Sequence, residues 1–227
     1  GGENALSVLA IGEEGSFLIA PDIYMKKIAY GYKYENLEIN IDDEPSKIVK
    51  EFANFSKIRA ENIVVCILDR PRHQELINEV RSTGARIKLI PDGDVSAVIA
   101  TSIDDSGIDL YMGTGGSPEG VLAAAALRCL GGKIYTKLIY DNDESFGRAK
   151  KMGVMKKDQI FKTNDLAKGD VMFSATGVTD GTLLKGVRIN NNYALTHSVV
   201  MRSKTSTIRY INANHNLNIK KYRSYFK

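Results

Sequence analysis

The fold of this chain is decided by residues 62–100, which read NIVVCILDRPRHQELINEVRSTGARIKLIPDGDVSAVIA. Short apolar runs in this stretch alternate with segments whose apolar residues recur at helical spacing, and the alternation continues to residue 130. The predicted strands are Ile63–Leu68, Ile87–Ile90 and Ile108–Met112, and the predicted helices are Gln74–Arg81, Val95–Ala100 and Val121–Leu130. This order is typical of a doubly wound, mostly parallel sheet, so the sequence predicts an α/β fold.

The segments on either side of this stretch extend the prediction. Near the start, Leu6–Ile11 and Ser16–Ala20 flank a turn that contains two glycines, which predicts a β-hairpin. Helical spacing of apolar residues then predicts a helix over Glu44–Phe55. We therefore divide the chain into residues 1–60, the end of an N-terminal α/β region with hairpin and helix, and residues 61–227, a C-terminal α/β region. The strands predicted in the final third are Val171–Ala175, Leu183–Ile189, Leu195–Arg202 and Thr205–Ile211.

Composition narrows the class of protein. The 227 residues are 43% hydrophobic, enough for a sizeable core, and the formal net charge is only +4. That charge is too small to indicate a nucleic-acid partner, and the basic residues near the end are interpreted as a solvated terminus. Those basic residues are Lys220, Lys221, Arg223 and Lys227.

Cellular location is inferred from the cysteines and from the length of the apolar runs. Cys66 and Cys129 lie in apolar runs without CxxC or zinc-binding spacing, which favours buried free thiols in a reducing compartment. No run approaches the roughly 18 uninterrupted apolar residues of a membrane-spanning helix, and no signal peptide is recognisable. The sequence therefore predicts a cytoplasmic protein that has no membrane partner.

Residues that follow the predicted strands are the candidates for a site, because open parallel sheets bind ligands beyond the carboxyl ends of their strands. The first strand is followed by Arg70, Pro71 and Arg72. The proline fixes the backbone between two guanidinium groups, and such a pair suits bidentate binding of phosphate oxygens. Solvated loop arginines would give the same pattern, so both interpretations stay open here.

The second strand is followed by Asp92, Gly93 and Asp94. The glycine lets the backbone come close to a ligand, and the two carboxylates can accept hydrogen bonds from sugar hydroxyls or approach a cation. Equally, one of the aspartates could simply cap the helix that begins near Val95. Sequence favours neither interpretation over the other.

The third strand leads into Gly113–Gly120, a glycine-rich segment that is more specific. Its glycines, Gly116 among them, would open backbone N–H groups at a helix N-terminus, where the helix dipole favours a phosphate. Ser117 is predicted as the N-cap and Pro118 as the first helical residue. Glu119 then falls in the first turn, where its carboxylate suits a functional site but would also be stabilised by the helix dipole alone.

One tyrosine and three histidines complete the candidates. Tyr24 follows a turn after the second hairpin strand, and its phenol could donate to a phosphate, although most loop tyrosines simply pack. His73, His197 and His215 have neither metal-type spacing nor an evident partner. No G-x-S-x-G nucleophile motif is present, so no residue is assigned as catalytic.

Taken together, these segments resemble the class II, GlpX-type fructose-1,6-bisphosphatases, some of which also act on sedoheptulose-1,7-bisphosphate. The similarity runs from Asn4 to about Ile211, in the family's order and near its spacing. The segments that carry it are Ala20–Met25, Arg70–His73, Ile90–Val95, Gly115–Gly120 and Phe173–Thr179. The resemblance implies a layered α/β sandwich of the sugar-phosphatase type, related to the lithium-sensitive phosphatases, and a homo-oligomer would fit the family.

The resemblance also implies a role for each candidate. Residues implied to contact the sugar bisphosphate are Tyr24, Arg70, Pro71, Arg72, Asp92, Gly93, Asp94 and Gly116. Glu119 is implied to be a ligand of Mn²⁺ or Mg²⁺, which in such enzymes polarises the phosphoryl group and activates water. The implied reaction is the hydrolysis of fructose-1,6-bisphosphate to fructose-6-phosphate and phosphate in gluconeogenesis.

The sequence departs from the family at its metal site. The family's other metal-binding carboxylates, including those of an Asp-Pro-x-Glu-Gly-Thr motif, belong to a segment that would precede Gly1. Phosphate-monoester hydrolysis can be accelerated by about 10²¹-fold, roughly 28 kcal/mol, of which positioning supplies only about 7–11 kcal/mol. The rest requires metal and electrostatic stabilisation, and one carboxylate does not normally hold Mg²⁺.

We therefore expect the chain to be a fragment of an active bisphosphatase and to be nearly inactive alone. The alternative is a non-catalytic sugar-phosphate-binding protein or the remnant of a degenerate gene. A nucleotide-binding domain is disfavoured, because the glycine-rich segment lacks G-x-G-x-x-G spacing and no Walker pattern occurs.

Overall fold

The computed structural model describes residues 2–218, so the basic residues Lys220, Lys221, Arg223 and Lys227 lie outside the described residues. The elements of the described residues, in chain order, are β1 Leu6–Gly12, β2 Tyr24–Tyr30, α1 Pro45–Ser56, β3 Val64–Leu68, α2 Gln74–Ser82, β4 Arg86–Ile90, α3 Asp94–Ala100, β5 Leu110–Gly116, α4 Ser117–Leu130, β6 Lys133–Leu138, α5 Asp143–Lys151, β7 Ile160–Lys162, α6 Thr163–Leu166, β8 Val171–Gly177, β9 Arg188–Ile189, β10 Tyr193–Arg202 and β11 Thr207–Asn216. Each strand and helix predicted between residues 62 and 130 is present, and the α/β fold is confirmed.

A six-stranded sheet, in the order β4-β3-β5-β2-β6-β7, forms the centre of the molecule. Strand β3 runs parallel to β4 and β5, as predicted, but β2 enters between β5 and β6 and runs antiparallel to both. The expected mostly parallel sheet is therefore a mixed one. Ile28, Ala29 and Tyr30 of β2 are all buried, because a central strand is covered on both faces.

A second, antiparallel sheet has the order β1-β8-β10-β11, with the short β9 beside β10. The predicted N-terminal hairpin is wrong, since β1 pairs with β8 and places Leu6 opposite Gly177. Residues 16–20 contribute a single bridge, from Phe17 to Ala167. The turn glycines signalled a local partner for β1, whereas its partner lies some 160 residues later in the chain, which a local pattern does not reveal.

The final third follows the prediction in three of its four segments. Strands β8, β10 and β11 cover most of the residues predicted as strands, and β10 and β11 pair along their whole length. Of the segment Leu183–Ile189, only Arg188 and Ile189 are in a strand. The apolar side chains of Leu183 and Leu184 pack into the core from an irregular segment, which accounts for the misleading apolar pattern.

Two hydrophobic cores separate the layers. The first joins the two sheets through α3 and α4, whose run of four alanines allows both sheets to approach the helix closely. The second packs the other face of the six-stranded sheet against α1 and α2, through Ile48, Phe52 and Ile77. The order of layers is therefore sheet, helices, sheet, helices.

The remaining sequence predictions concern the thiols, the bilayer and the chain division. Cys66 and Cys129 are free and buried, as predicted, and burial raises the pKa of each thiol to about 11. Within residues 2–218, no helix is both long and apolar enough to cross a bilayer. Strand β2 pairs with strands of the later region, and the division at residue 60 stays a prediction.

Candidate functional site

The carboxyl ends of three parallel strands, β3, β4 and β5, lie at one edge of the six-stranded sheet. Strand β2 runs the other way and therefore begins at this same edge, where Tyr24 lies opposite Gly116. The segments that follow these strands carry the candidate residues. Sheet topology alone thus brings loops from distant parts of the chain to one edge.

Three candidate side chains converge on the last three residues of β5. Arg72 donates from Nη2 and Nε to the carbonyl oxygen of Thr114, at 2.7 and 3.2 Å. A Cβ atom at Gly115 would collide with the carboxylate of Asp94, and one at Gly116 would collide with that of Glu119. Side chains from three separate segments therefore surround one strand end.

The two arginines of the first loop are placed differently. The Arg72 guanidinium carbon lies 4.8 Å from the centre of the Tyr24 ring, a cation–π distance, so the site groups Tyr24 with Arg72. Arg70 donates from Nη1 to the carbonyl of the neighbouring Asp69, at 3.0 Å. Pro71 begins a short 3₁₀ turn, Pro71–His73, which turns the two guanidinium groups to different partners.

Asp92 and Asp94 are not helix caps, so that structural alternative is wrong. The N-cap of α3 is Gly93, with a positive φ of 88°, and Asp94 is the first helical residue. Asp92 accepts a hydrogen bond from the Gly93 amide at 2.8 Å. Gly93 permits the left-handed conformation that directs Asp94 toward β5.

Asp94 forms an ion pair with Lys27 of β2, a residue that sequence analysis did not single out. Lys27 Nζ lies 2.5 Å from Asp94 Oδ2, and the side chains are only 1% and 13% exposed. Lys26 and Lys27 are adjacent in β2, so strand alternation sends one lysine to each face of the sheet. Lys27 shares its face of the strand with the apolar residues Met25 and Ala29. A lysine among apolar residues was the signal that could have identified it from sequence.

The glycine-rich segment does not have the predicted arrangement. Strand β5 continues through Gly116, which is the N-cap of α4, and Ser117 is the first helical residue rather than the cap. The Ser117 hydroxyl instead donates to the carbonyl of Pro21. The amides of Gly113 and Gly115 belong to the strand that pairs with β2, so they are not open at a helix N-terminus.

The glycines instead leave space for neighbouring side chains. A Cβ at Gly113 would lie 3.3 Å from the Tyr111 hydroxyl, and one at Gly120 would lie 3.3 Å from Lys27 Cε. Together with the spaces at Gly115 and Gly116, this makes room for four polar side chains beside the strand end. Glycine is required here by side-chain packing.

His73 joins two strand ends, although no role was assigned to it from sequence. Its Nδ1 lies 2.7 Å from the Leu68 carbonyl, and its Nε2 accepts from the Thr114 amide at 2.8 Å. These partners assign the proton to Nδ1 of a neutral ring. Burial lowers the pKa of the His73 imidazole, and the positive charges of Arg72 and Arg70 lower it further.

With this geometry in place, the chain can be compared with known proteins. Residues 1–215 match the family of bacterial, glpX-encoded fructose-1,6-bisphosphatases. This chain belongs to that family.

Individual relatives agree with the family match. The chain is 40% identical over 228 residues to the D-fructose 1,6-bisphosphatase class 2/sedoheptulose 1,7-bisphosphatase of Trichodesmium erythraeum (strain IMS101), covering 95% of this chain and 66% of that protein. It is 38% identical over 235 residues to the protein of the same name from Microcystis aeruginosa, covering 98% of this chain and 68% of the relative. The chain thus spans about two thirds of the length of these curated relatives.

A metal ion of the kind that this family uses needs several donor side chains close together. Among residues 2–218, no group of three or more histidine, cysteine, aspartate or glutamate side chains is arranged to hold a metal. The Asp94 carboxylate is already paired with Lys27, and the Glu119 carboxylate lies beside Gly116. These described residues do not by themselves fit a divalent metal site.

Tyr111 is a third buried polar group at the site, after Lys27 and His73, that sequence analysis did not single out. Its hydroxyl has no hydrogen-bond partner among the described residues. Burial raises the pKa of the Tyr111 phenol well above its ordinary value, and the nearby Asp94 carboxylate raises it further. The phenol is therefore a neutral donor beside the Lys27–Asp94 pair.

Proposed function

We propose that this chain carries the sugar-phosphate-binding half of a class II fructose-1,6-bisphosphatase. The observation that supports this most directly is the convergence of Arg72, Asp94 and Glu119 on three consecutive residues of β5. A guanidinium group and two carboxylates then lie at one strand end, a combination that can bind both the phosphate and the hydroxyls of a phosphorylated sugar. The names of the relatives support fructose-1,6-bisphosphate as the substrate and sedoheptulose-1,7-bisphosphate as a second one.

Each candidate side chain has a chemical task in this proposal. Arg72 uses two of its five N–H donors on Thr114, and the others bind phosphate oxygens. Tyr24 holds the guanidinium plane through its ring and donates its hydroxyl to the same anion. The residues proposed to contact the sugar bisphosphate are Tyr24, Arg70, Pro71, Arg72, Asp92, Gly93, Asp94 and Gly116.

Asp92 and Asp94 are proposed to accept hydrogen bonds from sugar hydroxyls. A site that pairs buried acceptors with hydroxyls rejects a ligand that lacks them, because the acceptors would be left unsatisfied. Glu119 is proposed as one ligand of the Mn²⁺ or Mg²⁺ on which bisphosphatases of this family depend.

The 227-residue chain alone is proposed to bind the sugar bisphosphate but to hydrolyse it very slowly. Lys27 already neutralises the Asp94 carboxylate, which leaves Glu119 as the carboxylate beside Gly116. A divalent hard cation normally needs more than one carboxylate. In the intact enzyme we propose hydrolysis of fructose-1,6-bisphosphate to fructose-6-phosphate and phosphate, in the cytoplasm and within gluconeogenesis, by a protein that forms homo-oligomers.

Calorimetric titration of the chain with fructose-1,6-bisphosphate tests the binding half of this proposal. Arg72→Gln should weaken binding by about 10- to 100-fold, because a charge-assisted hydrogen bond contributes about 1.5–3 kcal/mol. Arg86→Gln is the matched control, since Arg86 lies at the opposite end of β4 and donates to the Asn62 carbonyl. Equal binding by the two variants, or no binding by the parent chain, would contradict the proposal.

Phosphate release with Mn²⁺ tests the catalytic half. We expect binding without appreciable turnover by the 227-residue chain. Turnover comparable to that of an intact relative would show that the metal-site reasoning is wrong. A non-catalytic sugar-phosphate-binding protein, or the product of a degenerate gene, is the alternative, and it is distinguished by sequencing the DNA upstream of Gly1 for a reading frame that encodes Asp-Pro-x-Glu-Gly-Thr.

A further inference from the structure

The Lys27–Asp94 pair lies in surroundings where an ion pair is unfavourable. Lys27 projects from β2 into the apolar core that contains Met25, Ala29 and Tyr111. Taking an ammonium group out of water is expensive, and well-packed apolar residues in place of a buried pair often stabilise a protein as well or better. Fold stability alone therefore gives no reason for a lysine at this position.

The strand and helix around the pair are adapted to it. A Cβ at Gly115 would collide with the Asp94 carboxylate and would lie 3.2 Å from Lys27 Nζ. A Cβ at Gly120 would collide with Met25 Sδ and would lie 3.3 Å from Lys27 Cε. Glycine weakens a strand interior, so Gly115 is a structural concession to the Lys27–Asp94 pair.

The position of Asp94 explains why a counter-charge matters. Asp94 lines a cleft of about 330 Å³, which Asp92 and Glu119 also line. Lys27 and Arg72 line a second cleft of about 340 Å³. An anionic sugar phosphate bound at this strand end would be repelled by Asp94 if the charge of that carboxylate were not balanced.

We propose that Lys27 is a positioning residue that acts through Asp94. Its ammonium holds one carboxylate oxygen and cancels the negative charge, so that the other oxygen accepts a sugar hydroxyl without repelling the phosphate. Lys27 itself does not touch the ligand. This inference rests on the proposed function, because it concerns the same sugar-phosphate site.

The proposed role predicts the affinities of three variants of the full chain, each titrated with fructose-1,6-bisphosphate. Lys27→Met should weaken binding by about 10-fold or more, since the Asp94 charge is then unbalanced. Asp94→Asn should weaken binding clearly less than Lys27→Met, because the amide retains an acceptor oxygen and removes the repelling charge. The double variant should bind more tightly than Lys27→Met alone. A role in packing would not produce this rescue.

Fructose-6-phosphate serves as a second ligand, and Lys27→Met should lose less affinity for it than for the bisphosphate. Lys33→Met is the control and should bind like the parent, because Lys33 is an exposed lysine that pairs with Asp104 at 2.6 Å, and neither residue lines the clefts of Lys27 and Asp94. If Lys27→Met proves unfolded by circular dichroism, Lys27→Gln replaces it, and Asp94→Asn is still read alone.

The outcomes separate the inference from the proposed function. Parent-like affinity of Lys27→Met, a double variant no tighter than Lys27→Met, or an equal loss in Asp94→Asn would each overturn the positioning role while leaving sugar-phosphate binding intact. Absence of binding by the parent chain would instead overturn the proposed function, and the positioning role with it.

Discussion

The six-stranded sheet carries two lysine–carboxylate pairs, one on the central strand β2 and one on the edge strand β7, and the pairs differ in burial rather than in distance. On β2, at the candidate site, Lys27 Nζ lies 2.5 Å from Asp94 Oδ2, with side chains 1% and 13% exposed. On β7, Lys162 Nζ lies 2.6 Å from Glu38 Oε2, with side chains 54% and 73% exposed. Equal separations therefore do not imply equal energies, because water screens the second pair and not the first.

The surroundings of the exposed pair show why it is replaceable. Glu38 also accepts a hydrogen bond from the Tyr135 hydroxyl at 2.9 Å, and Lys162 Nζ lies 5.1 Å from the centre of the Tyr135 ring. If either charged group were removed, water would solvate the other with little loss of free energy. At the site, a Lys27 ammonium left without its partner has no such escape, because the Lys27 side chain is only 1% exposed. Burial therefore decides how much each charge of this sheet matters to stability.

The largest effect should come from removing one partner of the buried pair. Asp94→Ala leaves the Lys27 ammonium in the core without a counter-charge and should lower the free energy of unfolding by about 3–5 kcal/mol. Lys27→Met should cost less, because the partly exposed Asp94 carboxylate can still reach solvent. Urea denaturation measures both values. Equal losses, or two losses below about 1 kcal/mol, would show that the buried pair behaves like the exposed one.

A methyl group at Gly115 should break the same pair by sterics rather than by charge. Gly115→Ala places a Cβ against the Asp94 carboxylate and near Lys27 Nζ, and overpacking of this kind costs about 1–3 kcal/mol. Gly147→Ala is the control, because no atom lies within 4 Å of a Cβ at that helical position. It should stabilise the protein by roughly 0.5–1 kcal/mol in thermal or urea unfolding. The same sign of change in both variants would contradict the steric account.

The regular part of the fold was predictable because its signals are local. Between residues 62 and 130, apolar runs and helical spacing identified each strand and helix, since burial on both faces leaves a run that a short window detects. The partners of β1 and β2 were not predictable in this way. Strand β1 pairs with β8, and β2 enters the centre of the sheet, through contacts between residues far apart in sequence.

The residues of the candidate site also divide into those that sequence could identify and those that it could not. Arg72, Asp94 and Glu119 were found because parallel strands end at one edge, which is a rule of topology. Lys27 and His73 were missed because their roles depend on what lies across the strand. Lys27 has room because Gly115 and Gly120 carry no side chains, and His73 gains its second partner from the Thr114 amide. Such complementarity becomes visible only when the segments are brought together.

The pH dependence of stability tests the buried surroundings of His73 at the candidate site. Burial lowers the pKa of His73 in the folded protein below its ordinary value of 6.5, so the unfolded chain binds more protons below that pH. Its contribution to stability is therefore complete above pH 6.5 and is lost as the pH falls toward the folded pKa, by at most about 1.4 kcal/mol per pH unit. In His73→Gln, this part of the slope should disappear from urea unfolding between pH 6.5 and 5.

The slope between pH 7.5 and 8.5 is the internal control for His73, because the imidazole is neutral in both the folded and unfolded states there. The variant and the parent should have parallel slopes in that range. If they also remained parallel below pH 6.5, burial of the imidazole would not be what opposes protonation of His73.

The smallest effect on the free energy of unfolding should come from the exposed pair of Lys162 and Glu38. The hydrogen bond from Lys162 is the largest cause that lowers the pKa of Glu38, yet both side chains are largely in solvent. Lys162→Met should therefore change the free energy of unfolding by less than about 1 kcal/mol, and 1 M salt should abolish most of that change. The effect of Lys27→Met should depend much less on the same salt, because the Lys27 side chain is only 1% exposed. Salt dependence, measured in parallel for these two variants, is thus the direct measure of how burial separates two pairs of equal length.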